Sequence, residues 1–157
     1  MSNSVGKVFE DYFSALQADM VSICLEYASN RADKIYIYCS YENQSLSSYF
    51  FYNINGTLVK KHRLNDALGP EAGDFSYDTS PDRQSAAMDI INEDIEKIHK
   101  VCRHFNREMP TEMKLVYDVN GNSLTAKYRY DLVYSNDTEK TASDVAVEWF
   151  DEIMHIG

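Results

Sequence analysis

The chain has 157 residues, enough for one domain, 1–157, that buries about two thirds of the surface its unfolded form would expose. Its 25 Asp and Glu against 15 Lys and Arg leave a formal charge of −10 at pH 7, which repels a phosphate backbone and speaks against direct nucleic-acid binding. No run reaches the roughly 18 apolar residues of a membrane span. Met1-Ser2-Asn3-Ser4 also lacks the basic start and apolar core of a secretory signal, so a cytoplasmic protein is expected.

Residues 5 to 28 carry Val5, Val8, Phe9, Tyr12, Phe13, Leu16, Met20, Ile23, Cys24 and Tyr27 at intervals of three and four, which predicts a helix with one buried stripe, with Ser4 as its N-cap. After Ser29 to Asp33 the period changes to two. Lys34–Glu42 and Leu46–Ile54 read as strands separated by Asn43-Gln44-Ser45, and Asn55-Gly56 predicts a type I′ turn into a third strand, Thr57–Lys61. Residues 62 to 80 hold Gly69, Pro70 and Gly73 without periodicity and read as a long surface loop.

Ser80-Pro81 then places an N-cap before a proline at the first helical position, opening a helix whose stripe runs from Ala87 through Ile91, Ile95 and Ile98 to Phe105 and stops near Met109-Pro110. Glu112–Val119 and Ser123–Asp131 are predicted strands around a second hairpin signal, Asn120-Gly121. A polar loop, Ser135 to Lys140, leads to a closing helix capped by Thr141 or Ser143, with Val145, Ala146, Trp149, Phe150 and Ile153 on its apolar side. The order αβββαββα implies an α+β fold with a single antiparallel sheet of about five strands and helices mainly on one face.

Little in this pattern is catalytic. His99 and His104, five apart, fall on different sides of a helix, and His62 and His155 have no partner spacing, so no metal site is expected. Cys24, Cys39 and Cys102 lie far apart in apolar patterns and read as reduced core thiols. There is no nucleophile elbow, and Gly69 to Gly73 carries Glu71 where a phosphate would need bare backbone N–H groups. Asp89, Glu93, Asp94 and Glu96 are expected on the solvated face of the middle helix. No enzymatic activity and no cofactor follow from these residues.

Charge placement is more telling. Between Asp66 and Lys100, nine acids stand against Arg83, Lys97 and Lys100. The loop part places Phe75 and Tyr77 among Asp66, Glu71, Asp74, Asp78 and Asp82, and these seven residues are the candidate partner-binding set. The two rings either offer contacts to a partner or pin the loop to the domain. Tyr36, Tyr38, Tyr49, Tyr52, Tyr128 and Tyr130 recur along the strands and either form an open aromatic surface or, as expected for most of them, sit at the core edge with their hydroxyls in water.

The helix, the strand Lys34-Ile-Tyr-Ile-Tyr38, then Tyr49-Phe-Phe-Tyr52, the long middle helix, the hairpin ending Tyr128-Arg-Tyr-Asp131 and Trp149 in the last helix together resemble the YezG-like immunity proteins of bacteria. That resemblance implies an antitoxin for a secreted polymorphic toxin, often a nuclease, whose basic active site the acidic protein occludes. Two other readings stand beside it: a small-molecule-binding or enzymatic domain with a pocket lined by Tyr36, Tyr38 and Tyr128, and a homodimer joined through sheet edges.

Overall fold

The computed structural model describes residues 8–137 and 139–156, with Ile156 described by its backbone alone; the expected roles of Ser4 and Val5 lie outside that range. Helix α1 (Phe9–Tyr27) is followed by β1 (Lys34–Glu42), β2 (Ser45–Ile54) and β3 (Thr57–Lys60). Two 3-10 segments, Lys61–Ala67 and Pro70–Ala72, lead to α2 (Pro81–His104); β4 (Glu112–Asp118), β5 (Ser123–Arg129) and α3 (Ala142–Ile156) complete the order. All five strands join one antiparallel sheet, ordered β3-β2-β1-β4-β5.

Local chemistry accounts for the boundaries. Asp11 accepts the Val8 N–H at 2.9 Å to open α1. Ser80 Oγ accepts the Arg83 N–H at 3.4 Å at the start of α2, where Pro81 loses no hydrogen bond. The end of α2 comes before Met109-Pro110, because Asn106 takes a left-handed φ of 56° and the Arg107 N–H bonds the Cys102 carbonyl at 2.7 Å. Thr141 and Asp144 exchange side-chain bonds to each other's N–H groups, at 3.2 and 3.0 Å, and begin α3.

The hairpins follow the same logic with two corrections. Asn55 and Gly56 both have positive φ, as the type I′ turn requires. Asn43 and Gln44 also do, so the first hairpin closes on two residues and Ser45 already pairs with Glu42. In the last hairpin the left-handed residue is Asn122, not Gly121: Asp118 pairs with Ser123 across four residues, with the Asn122 N–H on the Val119 carbonyl.

Burial explains the layering. Ile35, Ile37 and Cys39 of β1 face one way, against Met20 and Cys24 of α1 and Ile91, Ile95 and Ile98 of α2. Tyr36 and Tyr38 face the other way, against Val145, Ala146, Trp149 and Phe150 of α3. Two of the three α-helices therefore share a face, and α3 covers part of the second. The central strand is buried on both sides, which is why it reads as an almost unbroken apolar run.

Candidate functional site

The acid-rich segment after β3 is built on anchors. Leu64 and Ala67 of the first 3-10 segment are buried, and the Asn55 side chain donates to the Ala67 carbonyl at 3.0 Å. Asn65 then acts as a local strand partner: its Oδ1 accepts the Tyr77 N–H at 2.7 Å and its Nδ2 donates to the Tyr77 carbonyl at 3.1 Å. Tyr77 is 5% exposed, and Phe75 meets it edge to face at 4.9 Å. The Arg31 guanidinium lies over the Phe75 ring, 3.5 Å from its centroid.

The seven candidate residues therefore divide. Phe75 and Tyr77 pin the segment to the domain and Tyr77 offers no open ring. Glu71, Asp74, Asp78 and Asp82 are exposed, and Asp66 is exposed but bonded to Arg63 at 2.7 Å. Asp78 accepts the Ser80 N–H at 3.0 Å, and that backbone bond, first among its contacts, holds its carboxyl below the usual range. The surface left is a run of carboxylates on a clamped backbone, beside a cleft of about 220 Å³ between Arg31, Asn55, Glu71 and Tyr77.

Buried polar chemistry sits away from the acidic segment, and its centre, Glu42, carries no local sequence signal. On the α3 side of the sheet, Glu42 accepts from the Val133 N–H at 2.8 Å, the Ser135 N–H at 3.1 Å and the Ser135 hydroxyl at 2.5 Å. One carboxylate thus ties the segment leading to α3 to the end of β1. Beside it, the buried Tyr38 donates to Glu112 at 2.8 Å. Burial first, then the Glu112 carboxylate, pushes the Tyr38 phenol far above its ordinary value. Tyr52 is equally enclosed, its hydroxyl on the Cys24 carbonyl at 2.6 Å. Tyr38 and Tyr52 thus correct the expectation of wet hydroxyls: on doubly covered strands, tyrosine hydroxyls must find internal acceptors.

Asp94 is a second correction. It stands three residues after Ile91 and four before Ile98, so it falls within the apolar stripe, is 2% exposed, and leaves Oδ2 without a hydrogen-bond partner. Burial, then Asp19 across the α1–α2 interface, raises its carboxyl to about 7. The 3.6-residue period alone would have located it, had its charge not suggested solvent.

The tyrosine pocket does not assemble. Tyr36 and Tyr38 point to the α3 side, whereas Tyr128 lies on the opposite face, beside Phe13, and receives a hydrogen bond from Gln17 at 2.7 Å. Cys24, Cys39 and Cys102 are free and buried. His99 stacks on Tyr41 at 4.6 Å and shares a 3.2 Å hydrogen bond with its hydroxyl. Among the described residues, no three His, Cys, Asp or Glu side chains gather as a metal site, and no helix is long and apolar enough to cross a membrane.

Fold and site together define an α+β domain with a five-stranded antiparallel sheet and an acidic, clamped surface segment. No protein-family model matches the chain, and no characterised protein matches it in sequence.

Proposed function

We propose that the chain is an immunity protein that binds and neutralises a cognate toxin, a basic nuclease domain, by covering its active site. The observation that supports this most is the fastening of the acidic segment. From Leu64 to Asp82 the chain has five acids and no Lys or Arg. The Arg31–Phe75 stack and the Asn65 clamp on Tyr77 hold that segment in one conformation. A negative surface speeds encounter with a positive cleft, and a preorganised one loses less conformational entropy on docking. Inhibition by occlusion needs no group transfer, so it asks of the chain only shape and charge.

The test asks whether the gene directly upstream encodes a large protein, and pairs this protein with the C-terminal domain of that product; absence of such a neighbour would count against the function. Neutralisation of that domain, in a growth assay and in a nuclease assay, is the expected result. The double variant Glu71→Lys with Asp74→Lys should associate more slowly and with a weaker salt dependence while keeping the fold. Asp78 is left intact because its carboxylate also holds the entry to α2. Neutralisation by the double variant at the unaltered rate would remove the interface from this segment, and failure of the parent protein to protect would remove the function.

A further inference from the structure

Lys60, Lys61 and His62 follow one another where β3 runs into the first 3-10 segment. They rim a groove between that corner, β2 and the first turns of α3, floored by Phe51 and Phe150 and edged by Val147, which is 43% exposed. Its volume is about 220 Å³. A cavity of about 150 Å³ holds a benzene ring, and drug-sized ligands occupy roughly 300 Å³ or more. The groove is therefore the size of one large apolar side chain.

The charge of its occupant follows from what the cations lack. In a chain of net charge −10 these three bases are consecutive, yet among the described residues none of them lies within ion-pair distance of a carboxylate. The two lysines lie over rings instead: the Lys60 ammonium is 5.1 Å from the Phe150 centroid, and that of Lys61 is 5.7 Å from Phe50 and 5.9 Å from Tyr49. Lys61 is half-buried, and that burial lowers its pKa. A partly desolvated cation without a counter-charge is costly, and an arriving carboxylate would relieve it.

We propose that this groove docks a segment of a partner protein that carries one large apolar side chain flanked by carboxylates. The apolar group enters between Phe51, Phe150 and Val147, and the carboxylates meet Lys60, Lys61 and His62. The charge sense is opposite to that of the acidic segment, so this is a separate surface, and it stands whether or not the partner of that segment is a toxin.

The probes are fluorescein-labelled pentapeptides, acetyl-Glu-Glu-X-Asp-Asp-amide with Phe, Leu or Met at X, titrated by anisotropy. Occupancy is also read by the fluorescence of Trp149, the one tryptophan of the chain, whose ring lies 5.2 Å from Phe51. At least one peptide should bind, more weakly as salt rises. The Lys60→Gln, Lys61→Gln double variant should lose about tenfold in affinity. Val147→Glu, which places a charge at the mouth, should lose as much, with unchanged circular dichroism in both cases. A Gln-Gln-X-Asn-Asn peptide binding as tightly, no binding by any acidic peptide, or full binding by both variants would overturn the proposal. Displacement by phenylacetate at equal concentration would assign the groove to a small anion, and a dimer dissolved by Val147→Glu would assign it to a second copy; either result overturns it too.

Discussion

Replacing Asp94 by Asn tests whether a carboxyl group inside the α1–α2 interface makes the fold sensitive to pH. The groups that face it are Asp19 from α1, Cys39 from β1, and Glu93 and Lys97 on its own helix. Its proton is held up to about 7 against an ordinary 3.8, by burial first and Asp19 second. A carboxyl raised in the folded state contributes stability that is complete below the unfolded value and is lost as pH climbs through the folded one. The loss therefore falls between about pH 4 and pH 7.

At about 1.4 kcal/mol per tenfold in proton affinity, the full difference would be about 4 kcal/mol. Asp19 is exposed and the pair borders water, so screening brings the expected effect to about 2 kcal/mol. The Asn variant stays neutral and retains an N–H donor for Asp19. It should lie within about 0.5 kcal/mol of the parent protein near pH 4.5 and exceed it by about 2 kcal/mol at pH 8, roughly 4–8 °C in melting temperature. Urea midpoints of both proteins from pH 4.5 to 8.5 measure this, and the difference between them cancels the titration of groups that do not interact with Asp94. An advantage that is the same at both ends of the range, or a variant less stable at pH 8, would refute the reasoning.

Two further outcomes follow from the buried and clamped contacts. Glu42→Gln replaces a carboxylate that only accepts with an amide whose NH2 cannot, so Val133, Ser135 or both lose a bond; a cost of about 1–3 kcal/mol is expected. Hydrogen exchange should show residues 131–137 losing protection before the sheet does, and uniform loss would refute the latch. Arg31→Ala uncovers Phe75 at a cost of about 1 kcal/mol, and limited proteolysis should then cut between 66 and 80 faster; an unchanged cutting rate would show that the stack does not hold the segment.

Much of this architecture was legible from spacing. The stripe of Ile91, Ile95 and Ile98, the Ser80-Pro81 start and the Asn55-Gly56 turn are local signals, since each depends on backbone geometry within a few residues. Asn43-Gln44 was harder to read because Gln rarely takes a positive φ; the pairing of Glu42 with Ser45 holds it there. The candidate site was legible as charge but not as geometry. Composition marked Asp66 to Asp82 as acidic, while only the contacts of Arg31 and Asn65, distant in sequence, show that Phe75 and Tyr77 face inward.

By itself, then, the sequence determined which segments are α-helix and strand, the Asn55-Gly56 turn, and where the negative charge accumulates, because period, caps and turn residues act over a few positions. Tertiary structure decided what no local rule contains. It set α3 on the face opposite α1 and α2, parted Tyr36 and Tyr38 from Tyr128, buried Asp94, and seated Glu42 among the N–H groups of 133–135. The physical reason is shared: burial and hydrogen bonding between residues far apart in the chain depend on which surfaces the packed sheet brings together.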